Sequence, residues 1–418
     1  MLKNKYKTIL ILLIVVSLFN LNIIKTNAQD FTHIYAKAAI AIDLNNQSIL
    51  YCQNGDEKIG LASITKFFVA TISLEKIEKE KINLEEQVTI SNKAASIKNI
   101  TNSSGVYFNE GQQVTIKKLL ELMMVYSDNG ASVALSEHLY GTEDNFLAEI
   151  NSYIKENNLK NTNFVNVTGL DEDNGTYNYS TAKEITRMAI KCLNISPEIT
   201  EYTKMPFVEF LGYNYPSFNL MLPEGLFYYE GVTGLKTGTT NTAGPSFLGL
   251  YEKDNKKILT LISGAYDASG KADDYGRFKE TKKLLDYVIT INTKVIIPEK
   301  TIISTDLKKG FGNVKLETQS NLSYNDDINC NLVFDKIEYF PEYVTDGKII
   351  KEINQGTTIG YLYLRSEDNI TTNYSLYTEN GIIKIPLTTS GNIKPDSIIE
   401  KFIFAIPNFL INIYNNLF

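Results

Sequence analysis

The sequence predicts a mixed α/β (α+β) domain followed by a separate all-β module. Three observations carry that expectation. Strand-like runs at 36–51 and 231–265 bracket the first part, and helical apolar spacing fills the interval between them. Beyond Pro298 only short β-rich runs divided by turns remain. A chain of 418 residues that is 43% hydrophobic has room for two or three domains with ordinary cores.

The first strand is expected over Ala36–Ile42, small and apolar, with Asn45-Asn46 turning it into Ser48–Tyr51. After Gly60 the pattern becomes helical: Phe67, Phe68, Ala70, Thr71, Leu74 and Ile77 precede the charged run Glu78–Lys81. Leu119–Met124 forms a dense apolar helix that stops at Ser127-Asp128-Asn129-Gly130, and a second helix follows from Ala131 to Tyr140. Ser180 reads as an N-cap serine opening a helix with Glu184 near its first turn. Gly231–Thr240 reads as a glycine-punctuated strand leading into a hairpin of Ser246–Tyr251 and Ile258–Ala265, and a helix spans Arg277–Ile291. The later β-rich runs are Val314–Leu316, Cys330–Phe334, Ile349–Ile353, Thr358–Leu364 and Ile382–Ile385, which suit a sandwich-type module.

Both ends carry their own signals. Lys3, Lys5 and Lys7 precede an apolar run from Ile9 to Phe19, and Ala28 offers a small cleavage residue, so residues 1–28 read as an export signal. A retained anchor is the alternative, although that run is short for a membrane span of ~20 residues. At the other end, 395–418 is rich in large apolar residues. Lys401, Asn408, Asn412 and Asn415 share one helical stripe, as in an amphipathic helix lying in a membrane interface or docked on the protein itself. The expected organisation is therefore signal 1–28, first domain 29–295, all-β domain 296–392 and anchor helix 395–418.

Composition excludes several functions. The formal charge is -7, and losing the four lysines of residues 1–28 takes it to -11, a poor match for nucleic acid. Cys52, Cys192 and Cys330 have unrelated spacings and read as buried, inert thiols. His33 and His138 are the only histidines, neither in a suggestive context, so no metal or cofactor site is expected.

Three motifs in one order carry the chemistry: Ser63-Ile-Thr-Lys66, Ser127-Asp128-Asn129 and Lys236-Thr237-Gly238. Each is weak alone. S-x-x-K also occurs at Ser73/Lys76, Ser152/Lys155 and Ser180/Lys183, and S-x-N at Ser217, Ser323 and Ser390. Context selects the first pair, since Ser63 sits at a helix start with Lys66 on the same face. Ser73 and Lys76 are expected late on that helix among solvated charges, and Ser152 and Lys155 on a charged face.

Serine is a poor nucleophile until something takes its proton. Lys66 serves only when neutral, and holding a lysine near 7 instead of ~10.4 is worth about 4 kcal/mol. Desolvation and the like charge of Lys236 are the expected agents. Ser127 then suits a hydroxyl relay to a leaving amine, and Asn129 suits donation to a substrate carbonyl. Thr237, Gly238 and Thr239 offer a strand edge on which a peptide can dock as an added strand.

With these residues the chain resembles the low-molecular-mass penicillin-binding proteins that act as D-alanyl-D-alanine carboxypeptidases, over about residues 34 to 395. The likeness extends to Ala62 before Ser63, Gly169-Leu170, Tyr179-Ser180-Thr181-Ala182, Gly234-Leu235 before Lys236, and Gly276-Arg277. It implies a penicillin-binding/β-lactamase-like transpeptidase fold: an antiparallel sheet flanked by helices, with the site between the sheet and a helical cluster. It also implies catalytic roles for Ser63, Lys66, Ser127, Asn129 and Lys236. Substrate contacts follow for Thr237, Gly238, Thr239 and Arg277, the arginine toward a terminal carboxylate. The backbone N–H groups of Ser63 and Thr239 form the oxyanion hole on the same resemblance. The implied substrates are peptidoglycan stem peptides, β-lactams the implied inhibitors, and the outer face of the cytoplasmic membrane or the cell wall the implied place of work. Leu61, Thr239 and Gly244-Pro245 depart from the usual family residues without removing a catalytic group.

Two other readings compete. A β-lactamase shares the motifs, but Glu172 within 166–174 lacks the expected local pattern for activating a deacylating water. A non-catalytic wall-binding or sensor protein would keep the fold without the activity, yet every reacting side chain is present.

Overall fold

The computed structural model describes residues 33–45 and 48–291 and, between 293 and 393, chiefly strand segments. The expected export signal, the tail helix at 395–418 and Cys330 lie outside the described residues.

Strand β1 (Ala36–Asp43) is almost wholly buried, and its small side chains let it lie in the middle of a sheet. It pairs antiparallel with β2 (Ser48–Gln53), Ile40 opposite Cys52. A 3₁₀ turn at Ala62–Ile64 leads into helix α1 (Thr65–Glu80), which ends with Lys81 in the left-handed conformation at φ 56°. Helices α2 (Ile116–Val125), α3 (Asn129–Tyr140), α4 (Glu143–Glu156) and α5 (Ala182–Ile195) follow. Their N-caps are Thr115, Asp128, Thr142 and Thr181, each accepting a backbone N–H three residues on. The cap of α5 is thus Thr181. Ser180 ends up one residue earlier, in a short strand (Tyr179–Thr181), with its hydroxyl 2.7 Å from Thr162 Oγ1.

Strands β3 (Val232–Gly238), β4 (Ser246–Lys253) and β5 (Lys256–Ala265) complete the sheet in the order β2-β1-β5-β4-β3, every pair antiparallel. The β4–β5 turn is Asp254-Asn255, both at positive φ (52° and 60°), the geometry that matches hairpin twist. Helix α6 (Gly276–Val288) packs on the sheet, Phe278 meeting Phe247 at 5.5 Å between ring centroids. Phe67, Phe68, Leu119, Leu122, Met123, Val133 and Leu135 are buried in a continuous core with sheet residues Ile40, Leu248 and Leu261. The expected antiparallel sheet flanked by helices is what the chain forms.

The C-terminal strands make a sheet of their own, antiparallel in the order 302–309, 312–318, 382–389, 358–366, 332–339, with 378–379 added beside 382–389. A two-stranded ladder joins 293–297 to 322–325. No described helix is long and apolar enough to cross a membrane. Cys192 is buried and Cys52 half-buried, and burial raises both thiols above their ordinary range.

Candidate active site

The three motifs meet at one cleft of about 200 Å³, lined by Ser63, Ser127, Thr237, Gly238, Thr239 and Arg277 together with Asn102, Ser104, Gly169, Leu170, Phe218 and Thr240. Ser63 occupies the 3₁₀ turn that opens α1, and Lys66 follows in the first turn. Lys66 Nζ lies 2.9 Å from Ser63 Oγ and donates to the Thr168 carbonyl at 2.6 Å. Ser127 stands between α2 and α3 with φ 59°, a left-handed backbone that turns its hydroxyl toward β3. There Lys236 Nζ lies 3.0 Å from Ser127 Oγ and donates to its neighbour's carbonyl, Thr237 O, at 3.2 Å. Asn129 donates from Nδ2 to Ser103 Oγ at 2.8 Å, while its Oδ1 is buried without a hydrogen-bond partner. Such an orphaned buried acceptor is costly and points to a ligand or water.

Gly238 sits against the 3₁₀ turn that carries Ser63, where an added Cβ would lie 3.0 Å from the Ser63 nitrogen. Gly169, at φ 80°, is closer still: a Cβ would be 1.9 Å from the Ala62 carbonyl oxygen, so only glycine lets the Thr168 carbonyl reach Lys66. Arg277, at the start of α6, donates to the Gly238 carbonyl at 3.2 Å and to Thr239 Oγ1 at 2.7 Å, with Asp274 at 3.4 Å.

Both lysines are fully buried. Burial lowers Lys66 to about 7, the Asp128 carboxylate pulling the other way. Lys236 is pushed well down by burial first, then by the charges of Lys66 and Arg277. The like-charge effect expected on Lys66 therefore falls on Lys236. The site consequently places a buried amine beside each of two serines, and the one beside Ser63 is able to take a proton near neutral pH.

The decoy motifs stay apart from this cleft. Lys76 pairs with Glu80, Lys183 with Asp56, and Ser152 donates to Glu156. Ser73 proves buried, with its hydroxyl unpartnered, rather than lying among solvated charges. Glu172 is exposed, its carboxylate accepting from Asn166, and is not among the cleft-lining residues. Sequence reasoning missed the Thr168 carbonyl as the partner of Lys66, and Asn102, Ser104, Phe218 and Thr240 as walls of the cleft. The polar run Thr101-Asn102-Ser103-Ser104-Gly105 signalled a loop but not where it would lie.

Similarity to known proteins agrees with this geometry. The Peptidase_S11 family profile, D-alanyl-D-alanine carboxypeptidase, matches residues 24–267. The chain is 28% identical over 344 residues to the D-alanyl-D-alanine carboxypeptidase DacF of Bacillus subtilis, spanning 80% of this chain and 82% of that protein. Among solved structures, a peptidoglycan synthesis regulatory factor (PBP3) from Streptococcus pneumoniae superposes with TM-score 0.62 at 25% identity, covering 87% of this chain and all of that one. Penicillin-Binding Protein D2 from Listeria monocytogenes, solved in an ampicillin-bound form, gives TM-score 0.53 at 28% identity over 63% of this chain and 100% of its own. More than half of the chain thus falls within one family match, and it belongs to the Peptidase_S11 family of D-alanyl-D-alanine carboxypeptidases.

Proposed function

We propose that Ser63 is the acylated nucleophile of a serine-type carboxypeptidase that removes the terminal D-alanine from peptidoglycan stem peptides. The observation that carries this reading is the pairing of two serines with two buried amines across one cleft, Ser63 with Lys66 and Ser127 with Lys236. Neutral Lys66 takes the Ser63 proton as Oγ attacks the carbonyl of the penultimate residue. The Ser127 hydroxyl hands a proton to the leaving amine and is resupplied through the lysine network. The Asn129 side-chain amide and the edge formed by Thr237, Gly238 and Thr239 hold the peptide backbone, and the Ser63 and Thr239 N–H groups receive the developing oxyanion. Arg277, with Thr239, receives the terminal carboxylate. Water then hydrolyses the ester and frees Ser63.

Penicillins enter the same path, because a β-lactam presents an acylating carbonyl to the same oxygen. Among the described residues that line the cleft none is an acid, which favours a slow-turnover target over a β-lactamase. The same proposal assigns 29–295 to the catalytic domain and 296–392 to the all-β domain. It has the chain exported, working at the outer face of the cytoplasmic membrane or in the wall, and held there by 395–418. The lysine-led apolar start and the apolar tail of the sequence support that location. The test is incubation with a pentapeptide ending in D-Ala-D-Ala, together with mass spectrometry of a penicillin adduct. Released D-alanine and a label on the Ser63 peptide are expected. Neither product, or a label elsewhere, rejects the assignment.

A further inference from the structure

The corner that carries Ser127 and Asn129 does not hold its shape alone. Asp128, wholly buried, accepts the Val106 N–H at 2.5 Å on one carboxylate oxygen and the Ala131 N–H at 2.8 Å on the other. The bond to Val106 fastens a loop 22 residues away in sequence. That loop returns two bonds of its own: Ser104 Oγ donates to the Ser127 carbonyl at 2.7 Å, and the Asn129 N–H donates to the Ser104 carbonyl at 3.0 Å. Gly105, at φ 143°, leaves no space beside the carboxylate, since a Cβ there would sit 2.8 Å from Asp128 Oδ2. Ser127 is held in a left-handed conformation that side chains rarely adopt, and such a residue persists only where its surroundings over-determine it.

We propose that Asp128 is a positioning residue for acylation, its carboxylate clasping the Ser103–Val106 loop onto the Ser127–Asn129 corner so that the Ser127 hydroxyl faces the cleft. The proposal rests on the reading of Ser63, Lys66 and Ser127 as the reacting groups. A hydrogen-bonded anion suits the task better than a neutral side chain, because both of its oxygens accept and the bonds to backbone N–H groups are charge-assisted. The charge also reaches Lys66, which it raises against the effect of burial. Burial itself pushes the Asp128 carboxyl up to about 6, opposed by its N–H donors and by Lys66. The titratable and charged groups around this pair are Lys66 on α1, Lys236 on β3, which also feels Arg277, and Tyr215 from the strand at 213–216. Removing the anion lets Lys66 release its proton at lower pH, which moves the acid limb of acylation downward.

The full chain and its Asp128→Asn variant are compared for acylation by a fluorescent penicillin between pH 5 and 9, with kcat and KM for D-alanine release and a melting temperature. Expected is a loss in kcat of about 10- to 100-fold with KM changed less than about threefold. The acid limb is expected about half a pH unit or more lower. Ser104→Ala, which removes the bond to the Ser127 carbonyl and leaves the Asp128 carboxylate in place, is expected to lower kcat about 3- to 10-fold with the acid limb in place. Wild-type rate and pH profile in Asp128→Asn overturn the proposal. So does a loss in that variant that tracks its melting temperature without moving the acid limb. Where Asp128→Asn does not fold, a wild-type rate in Ser104→Ala overturns it. A wild-type chain that takes up no penicillin at all rejects the assignment of Ser63 instead, so the two failures are told apart.

Discussion

Gly238 and Ser63 belong to different elements, yet less than a methyl group's space lies between them: a Cβ on Gly238 would lie 3.0 Å from the Ser63 nitrogen and 3.1 Å from Ala62 Cβ. The strand edge and the turn that carries Ser63 are in packing contact, and on the proposed mechanism that contact sets where a bound carbonyl meets the hydroxyl. Gly238→Ala forces the turn back by a few tenths of an ångström. Acylation by a fluorescent penicillin is expected to slow about 10-fold, with little change in melting temperature, since small misplacements of reacting groups are costly in rate.

With Lys66 as the proposed base, the pH dependence of acylation follows from its titration. Its folded value of about 7 means that it is protonated below neutrality. The second-order rate of penicillin acylation is therefore expected to fall about tenfold per pH unit below 7 and to level off above it. A rate that is flat from pH 5 to 8 would remove Lys66 as the base.

A buried lysine held neutral also loads the fold. Lys66 sits near 7 when folded and at 10.5 when free. The unfolded chain therefore binds more protons between those values, so stability falls as pH drops from about 10.5 to 7 and then stays level. Lys66→Met removes this penalty but orphans the Thr168 carbonyl. The net effect is an expected gain of about 1–3 kcal/mol at pH 7 that shrinks as pH approaches 10.5, read by thermal unfolding. Catalysis is lost in the same variant.

Gly169 offers a purely steric test. With φ at 80° and a would-be Cβ 1.9 Å from the Ala62 carbonyl oxygen, Gly169→Ala cannot be absorbed by a rotamer change. A destabilisation of about 3 kcal/mol or more is expected in denaturant titration, because the clash is with backbone and the conformation is itself unfavourable.

Glu172 is held by Asn166 outside the cleft and is exposed. Glu172→Gln is expected to leave the lifetime of the penicillin adduct within about twofold of wild type, measured by loss of label with time. A markedly longer lifetime would revive the β-lactamase-like route to deacylation.

Much of this was legible in the sequence because it is local. Short apolar runs marked the strands at 36–42, 246–251 and 258–265, and the spacing of Phe67, Leu74 and Ile77 marked α1 beside Ser63. What stayed hidden is long-range. Nothing in the stretch around Asp128 says that its carboxylate will bind Val106, and nothing near Lys66 names the Thr168 carbonyl, 102 residues away. The α5 cap was misplaced by one residue because Ser180 and Thr181 offer the same hydroxyl chemistry, and only the pairing of Ile59 with Ser180 commits the serine to a strand. Ser73 looked solvated from its charged neighbours, whereas the helix turns it into the core.

Ser63, Ser127 and Lys236 arrive from a helix start, a helix–helix corner and a sheet strand that are far apart along the chain. A partly assembled molecule has no reason to bring them together. Covalent penicillin capture therefore doubles as a head count of fully native molecules: the stoichiometry of label in a preparation reports the fraction that has completed folding, independent of its secondary-structure content.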